Sequence, residues 1–504
     1  MKTKHLHAIS VVLLLLVVGT QPALGTRYIP SDPDIGTWDE VNRIYTLTTD
    51  VYEDTLYTVI EIEEDNITLD GAGHTVTGSG TGYGIRLSER TGVTVTDVSV
   101  EEFYIGIGLH YSDNNTVTSN VTNSNTYGIY LRDCSSNTVT GNTVEWSGYI
   151  GIALQECSNT TLTGNVATNN PYGIRLWMSS DNTVTDNTLD LGSQGIVVSN
   201  GNSNTVADNT VSNLSNGIYI QGPSSSDNVV TNNTVNNNHN GIRLESCSNT
   251  TVTGNTTNSH SGFGIGVGIS SHHTTITGNM ATDNFIGISI SASSDNEIYD
   301  NNLSGNAFAI KVGGSGPGNR YLNNDLSNST SSSLHISHDS EFELSGNDFT
   351  NSVNGIALLN MDGASLSNVD LSSIAGGIGV ELWGVTNSSF SYITVSGGQY
   401  GIRVWQGSTG NTFHNNTISD NTRGMHISYS SNDNIIYNNN FINNATQAHV
   451  DGSSASVFNL DKPIGGNYWS DWTSPDTDND GFVDFPYEFS GGQRKTRDSH
   501  LFFT

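Results

Sequence analysis

Residues 128–144 read Gly-Ile-Tyr-Leu-Arg-Asp-Cys-Ser-Ser-Asn-Thr-Val-Thr-Gly-Asn-Thr-Val, and versions of this phrase recur down most of the chain every 22 to 24 residues. Its Gly-Ile step returns at Gly84, Gly106, Gly151, Gly173, Gly195, Gly217, Gly241, Gly264 and Gly287, and the beat resumes at Gly355, Gly379, Gly401 and Gly424. A unit this short cannot bury its own apolar face, so it must stack on its neighbours. Within the phrase, strand alternation points Ile129 and Leu131 one way and Tyr130 and Arg132 the other. Val139 points inward from a second strand at Thr138–Thr140, Gly141-Asn142 bends the chain, and Thr143-Val144 begins a third. Three short strands per 22–24-residue coil close a narrow triangle. The expected fold is all-β, a single right-handed parallel β-helix.

The rest of the chain fits around that unit. Only 34% of the 504 residues are hydrophobic and the mean hydropathy is -0.31, which suits a thin core stacked coil by coil. Asn recurs in register at Asn120, Asn142, Asn165, Asn187 and Asn209, and again at Asn137, Asn159, Asn182 and Asn204, as expected of ladders bonded between coils. Roughly sixteen or seventeen coils at ~4.8 Å give a rod on the order of 80 Å long. Residues 26–64 are less repetitive and read as an N-terminal cap over the open edge; 65–456 carry the repeats; 457–504, richer in aromatics, read as a C-terminal cap. Between Gly313 and Asn354 the rhythm blurs, and a loop or irregular coil is expected.

Residues 1–25 have a positive start, an apolar run from Ala8 to Val18 and a small-residue end, the pattern of a secretory signal peptide. No later stretch is long and apolar enough to span a membrane. A formal net charge of -32 disfavours nucleic acid and polyanions at long range. Cys134, Cys157 and Cys247 occupy one phase of the repeat that other coils fill with Ser112 or Ser179, the mark of a small buried position. Sequons at Asn66, Asn120, Asn159, Asn213 and Asn255 would permit N-glycosylation in an exported chain.

The NTVTGNTV and GIxL phrases resemble the right-handed parallel β-helix repeats of the NosD-type, carbohydrate-binding and sugar-hydrolase (CASH) family, over roughly residues 65–490. The ending Gly465-Gly466-Asn467-Tyr468-Trp469-Ser470-Asp471-Trp472, with the acidic run after Pro475, is similar to the closing segment of archaeal surface proteins of that group. The resemblance implies the fold and leaves the activity open among binding proteins, lyases, epimerases and proteins without catalysis.

Two groups of residues carry chemistry. Asp476, Asp478, Asp480 and Asp484 alternate around Gly481, with the Phe482 carbonyl between them, the pattern that surrounds Ca2+ with hard oxygens. Tyr487 stands where an EF-hand loop has its bidentate Glu. A structural calcium in the C-terminal cap is expected. The second group appears once the chain is phased on its repeat. Positions two and four after each Gly form outward columns: Arg86, Tyr130, Arg175, Arg243, Lys311 and Arg403 in one, and His110, Arg132, Trp177, Trp383 and Trp405 in the other. Tyr130, Arg132, Arg175 and Trp177 make one cluster, Arg403 and Trp405 another, with Arg243 between them. Flat rings and forked guanidinium groups suit a polysaccharide or cell-envelope glycan with hydroxyls and carboxylates.

The expected function is therefore a secreted or cell-surface β-helix that binds carbohydrate or acts in the envelope without catalysis. An acidic-glycan lyase or epimerase on the same scaffold is the alternative, with Arg132, Arg175, Arg243 or His110 at the uronate. Glu156 and Glu245 are the carboxylates a hydrolase would use, and a purely structural envelope protein is the third reading. Transition metal finds little support: five Met, cysteines in buried phase, and His272-His273 as a lone pair on a turn.

Overall fold

The computed structural model describes residues 25–53, 57–339, 341–451, 455–461, 463–477, 483–489 and 496–498. Of residues 1–25, expected as a signal peptide, 1–24 lie outside the described residues. Those described form an all-β, right-handed parallel β-helix of about eighteen turns, with no α-helix.

Each coil follows the plan of the phrase at 128–144. A long strand, Tyr127–Arg132, is followed by two short ones, Thr138–Thr140 and Thr143–Glu145. Each pairs in parallel with the equivalent strand of the next coil, Ile150–Gln155, Thr161–Thr163 and the start of Val166–Trp177. Ile129, Leu131, Val139 and Val144 are all fully buried, so four apolar side chains per coil make the core. The turn after the long strand puts Asp133 at φ 53° and Ser136 at φ 57°. Of the Gly141-Asn142 pair, Gly141 takes the left-handed conformation, at φ 62°. The Gly of the Gly-Ile step has a different reason: a Cβ on Gly128 would sit 2.7 Å from the Gly151 carbonyl and 2.5 Å from Val144 Cγ1. Close stacking of the coils demands glycine there.

Asn142 has the other role. Its side chain donates to the Asn165 carboxamide oxygen at 2.9 Å and accepts from Asn120 at 3.0 Å. The relay continues through Asn187, Asn209, Asn233, Asn255, Asn279, Asn301, Asn324 and Asn347. The second expected ladder needs one correction. Asn159 is exposed in a left-handed turn at φ 51°, and Thr160 takes the buried register between Asn137 and Asn182. The Cys-Ser-Asn-Thr order of that coil places its Asn one residue early. The ladder also decides which sequons a folded chain presents: Asn120 and Asn255 are buried, whereas Asn66, Asn159 and Asn213 are exposed.

The coils run beyond the clearest repeats. Arg27–Ile29 and Thr58–Ile62 already belong to the parallel ladder, and the hairpin Gly36–Asp39/Ile44–Leu47 is antiparallel. Across residues 313–354, where an irregular coil was expected, Ser332–Ser337 keeps register with Phe308–Gly313 and Asn319–Leu322 with Glu297–Tyr299. There the third strand shrinks to single bridges, Asn302 to Asp325 to Asp348. At the far end Tyr468–Trp469 pairs with Asn440–Ile442. Trp469 stacks on Phe441 at 4.3 Å and on Tyr487 at 4.4 Å, closing the core with rings.

Candidate functional site

The long-strand ladder places the outward residues in the columns that the repeat implied. Tyr130 lies beside Ala153, Ala153 beside Arg175, and Arg132 beside Gln155, which lies beside Trp177. A third outward position, immediately before the Gly, adds Tyr127, Ile150 and Tyr172. Phasing on two columns missed it, because the residue before the Gly has the parity of inward Ile129 and Leu131 and departs from the simple alternation.

The small residue in this array makes the site. Ala153 leaves a gap between Tyr130 and Arg175, and the result is an open cleft of about 260 Å³ walled by Tyr127, Tyr130, Tyr149, Arg175 and Trp177. Of the expected cluster, the structure thus unites Tyr130, Arg175 and Trp177. Arg132 sits outside the cleft, turned to Asp133 at 3.3 Å. The rings brace one another: Tyr149 meets Tyr127 and Tyr172 edge to face, at 5.6 and 5.5 Å. Tyr130 donates to Gln155 Oε1 at 2.6 Å, and burial pushes its hydroxyl pKa up to about 12. It stays protonated at neutral pH. Trp177 remains 41% exposed, a flat face available for stacking.

Arg175 differs from its column neighbours. Arg86 is paired with Glu61 at 3.5 Å, Arg243 with Glu245 at 3.0 Å and Arg403 with Glu381 at 3.3 Å. Arg175 donates to the Tyr149 hydroxyl at 3.0 Å and lies over the Tyr172 ring. Among the described residues it has no carboxylate within ion-pair distance, and its buried Nε has no hydrogen-bond partner.

Two further clefts obey the same rule. Gly266, five coils on and about 24 Å away at ~4.8 Å per coil, opens about 440 Å³ beside Arg243. Ala357, four coils beyond, opens about 270 Å³ beside Trp383 and Trp405. Arg403 lies 3.7 Å from the Trp405 ring centroid and bridges to Glu381, whose carboxyl burial raises above its ordinary range.

The catalytic candidates are scattered. His110 packs between Tyr83 and Tyr130, and burial with Arg86 and Arg132 nearby pushes its pKa down to about 4. Glu156 lies in an exposed turn, where it accepts from Gln155. Glu245 is engaged by Arg243 and the Tyr219 hydroxyl.

Of the calcium-type loop, Asp478, Asp480 and Phe482 lie outside the described residues. Asp484 accepts from the Thr477 amide and hydroxyl at 3.0 and 2.6 Å. Among the described residues one group has the size of a metal site, His426, His449 and Asp451, its ligand atoms within 4.8 Å of one another. The repeat hid it, because His426 and His449 are neighbours in space only through the ladder.

Several solved structures share the likeness at low identity. A Dettilon tailspike protein aligns with a TM-score of 0.41 and 16% identity over 47% of this chain and 59% of its own. An alginate lyase from Paenibacillus sp. str. FPU-7 aligns at 0.36 and 13%, over 42% and 87%. A periplasmic alginate epimerase aligns at 0.36 and 12%, over 65% and 84%. The chain thus spans about three fifths of the tailspike's length. A search of curated proteins found no significant match. The family model described as "Periplasmic copper-binding protein (NosD)" matches residues 42–200, 176–330 and 315–474. No helix among the described residues is long and apolar enough to cross a membrane. The chain belongs to the NosD family of β-helix proteins.

Proposed function

We propose that this chain is an exported, secreted or surface β-helix that binds a polysaccharide along the Gly-Ile face without cleaving it. The observation that carries the reading is Arg175: a cation beside an aromatic cleft, with no carboxylate of its own. A glycan would stack a sugar ring on Trp177 or Tyr130 and set a hydroxyl or carboxylate on the guanidinium. The net charge of -32 favours a glycan with sparse carboxylates over a dense polyanion. The clefts at Gly266 and Ala357 lie along the same strip and would hold further segments of one extended chain. Against a hydrolase, the walls of the Ala153 cleft bring no carboxylate pair.

The test is incubation of the purified protein with neutral and acidic polysaccharides, read for both binding and new chain ends. Binding without turnover is expected, weakened at least about 30-fold in Tyr130→Ala/Trp177→Ala, since each lost stacking contact, on the scale of base–aromatic stacking, is worth about 1–3 kcal/mol. New unsaturated or reducing ends would instead mark a lyase or hydrolase, and an inverted uronate carbon seen by NMR an epimerase. Failure of the wild type to bind any member would leave a structural envelope role.

Calcium in the C-terminal segment is proposed from the sequence of the loop, with Asp476, Asp478, Asp480, Asp484 and the Phe482 carbonyl as ligands. Chelator should lower the melting temperature of the wild type and leave Asp480→Ala unchanged. Equal indifference of both proteins to chelator would sink it.

A further inference from the structure

We infer that His426, His449 and Asp451 form a binding site for a divalent first-row transition-metal ion at the C-terminal end of the glycan-facing column. The ladder sets His426 directly beside His449, rings 5.2 Å apart. Asp451, just past the end of the His449 strand, faces both, 3.7 Å from His426 Nε2 and 3.0 Å from His449 Nε2. Two imidazole nitrogens and one carboxylate oxygen thus converge from three side chains, within 4.8 Å. Neighbouring ligands of a tetrahedral ion with bonds of 2.0–2.1 Å stand about 3.4 Å apart. Small side-chain rotations close the difference.

A second observation points the same way. His426 is only 9% exposed, yet neither of its ring nitrogens has a hydrogen-bond partner among the described residues. An imidazole buried without partners is costly, and a bound cation would satisfy Nε2. The Tyr400 ring stacks on His426, 5.5 Å between centroids and 12° from parallel, and fixes its plane. The nearby cations are occupied: Arg403 pairs with Glu381 at 3.3 Å, and Arg423 donates to the Tyr400 hydroxyl at 3.1 Å.

The donor set decides the class of ion. Imidazole with carboxylate suits zinc and its divalent neighbours, and lacks the thiolate or thioether that a cuprous site would use. The copper named in the family description fits these residues as the divalent ion. His449 and Asp451 keep 30% and 41% of their side chains exposed, so a bound ion would retain positions open to water or to an acidic ligand. The site is independent of the Ala153 cleft.

The experiment is calorimetric titration of the full chain with zinc chloride, repeated on His449→Ala and Asp451→Asn. One equivalent is expected to bind the wild type, with affinity reduced more than about tenfold in each variant, the scale seen for loss of even an outer-shell partner. Zinc should raise the melting temperature of the wild type alone. His426→Gln serves as a third variant, with far-UV circular dichroism to verify folding. Calcium titration should give the same result in wild type and His449→Ala, separating this site from the acidic loop. Absence of zinc binding in the wild type, or binding unchanged in both His449→Ala and Asp451→Asn, would overturn the assignment.

Discussion

Trp469→Ala should destabilise the C-terminal coils by about 3–5 kcal/mol, the cost of emptying a large core site. Trp469 is 2% exposed and lies between the Phe441 ring of the last regular coil and the Tyr487 ring outside it. Phe458 and Phe489 complete the enclosure at 6.2 and 5.4 Å. A coil in the middle of the rod is covered by neighbours on both sides, whereas the last regular coil is covered on its outer side by Trp469 and the rings packed on it. In a stacked repeat the end is where unravelling starts. Hydrogen exchange should therefore rise first at Asn440–Ile442 and Thr446–Val450 and leave the coils near Ala153 protected. Trp469→Phe keeps a stacked ring and should lose less than half as much. Uniform loss of protection along the whole chain would show that the end does not act as a cap.

Asn187→Ala should cost about 4 kcal/mol at mid-rod. The Asn187 carboxamide oxygen accepts from both the Asn165 amide and its side chain, at 3.0 and 2.9 Å. Its Nδ2 donates to Leu162, Thr185 and Asn209, at 3.0, 2.9 and 3.0 Å. Truncation leaves the buried Asn165 N–H without its acceptor, at about 1–3 kcal/mol, and removes the bonds to the Leu162, Thr185 and Asn209 oxygens, at about 0.5–1.5 kcal/mol each; the Thr185 carbonyl keeps the Gly164 amide at 3.2 Å. Asn187→Asp should be no milder, because it sets a carboxylate against the same carbonyls. The exposed Asn202, by contrast, should tolerate Ala within about 0.5 kcal/mol. Denaturant titration of the three variants separates the ladder from mere asparagine content; equal small losses in all would contradict it.

The repeat made the fold legible because its period, its inward Val and Ile and its ladder Asn are local features that each coil restates. Departures came where one coil shifts a residue, as at Asn159, or where the ladder outlasts the sequence rhythm, as across residues 313–354. The candidate site was legible only in part. Columns could be phased from sequence, which placed Tyr130, Arg175 and Trp177 on one face. That Ala153 would open a cleft between them, and that Arg175 alone among the arginines of its column would lack a carboxylate among the described residues, depends on side-chain lengths in adjacent coils. The pairing of His426 with His449 was invisible for a related reason, since a contact across one coil looks like a long gap in the sequence.

The central claim is that the cleft above Ala153 holds a sugar. The direct measurement is the polysaccharide titration carried out on Ala153→Leu, which fills the floor of the cleft and removes none of the walls. Val197 already fills the same column with a β-branched side chain two coils on, so the fold should accept the change. Binding seen in the wild type should be lost in Ala153→Leu, with the melting temperature and circular dichroism unchanged. Undiminished binding by Ala153→Leu would contradict the claim.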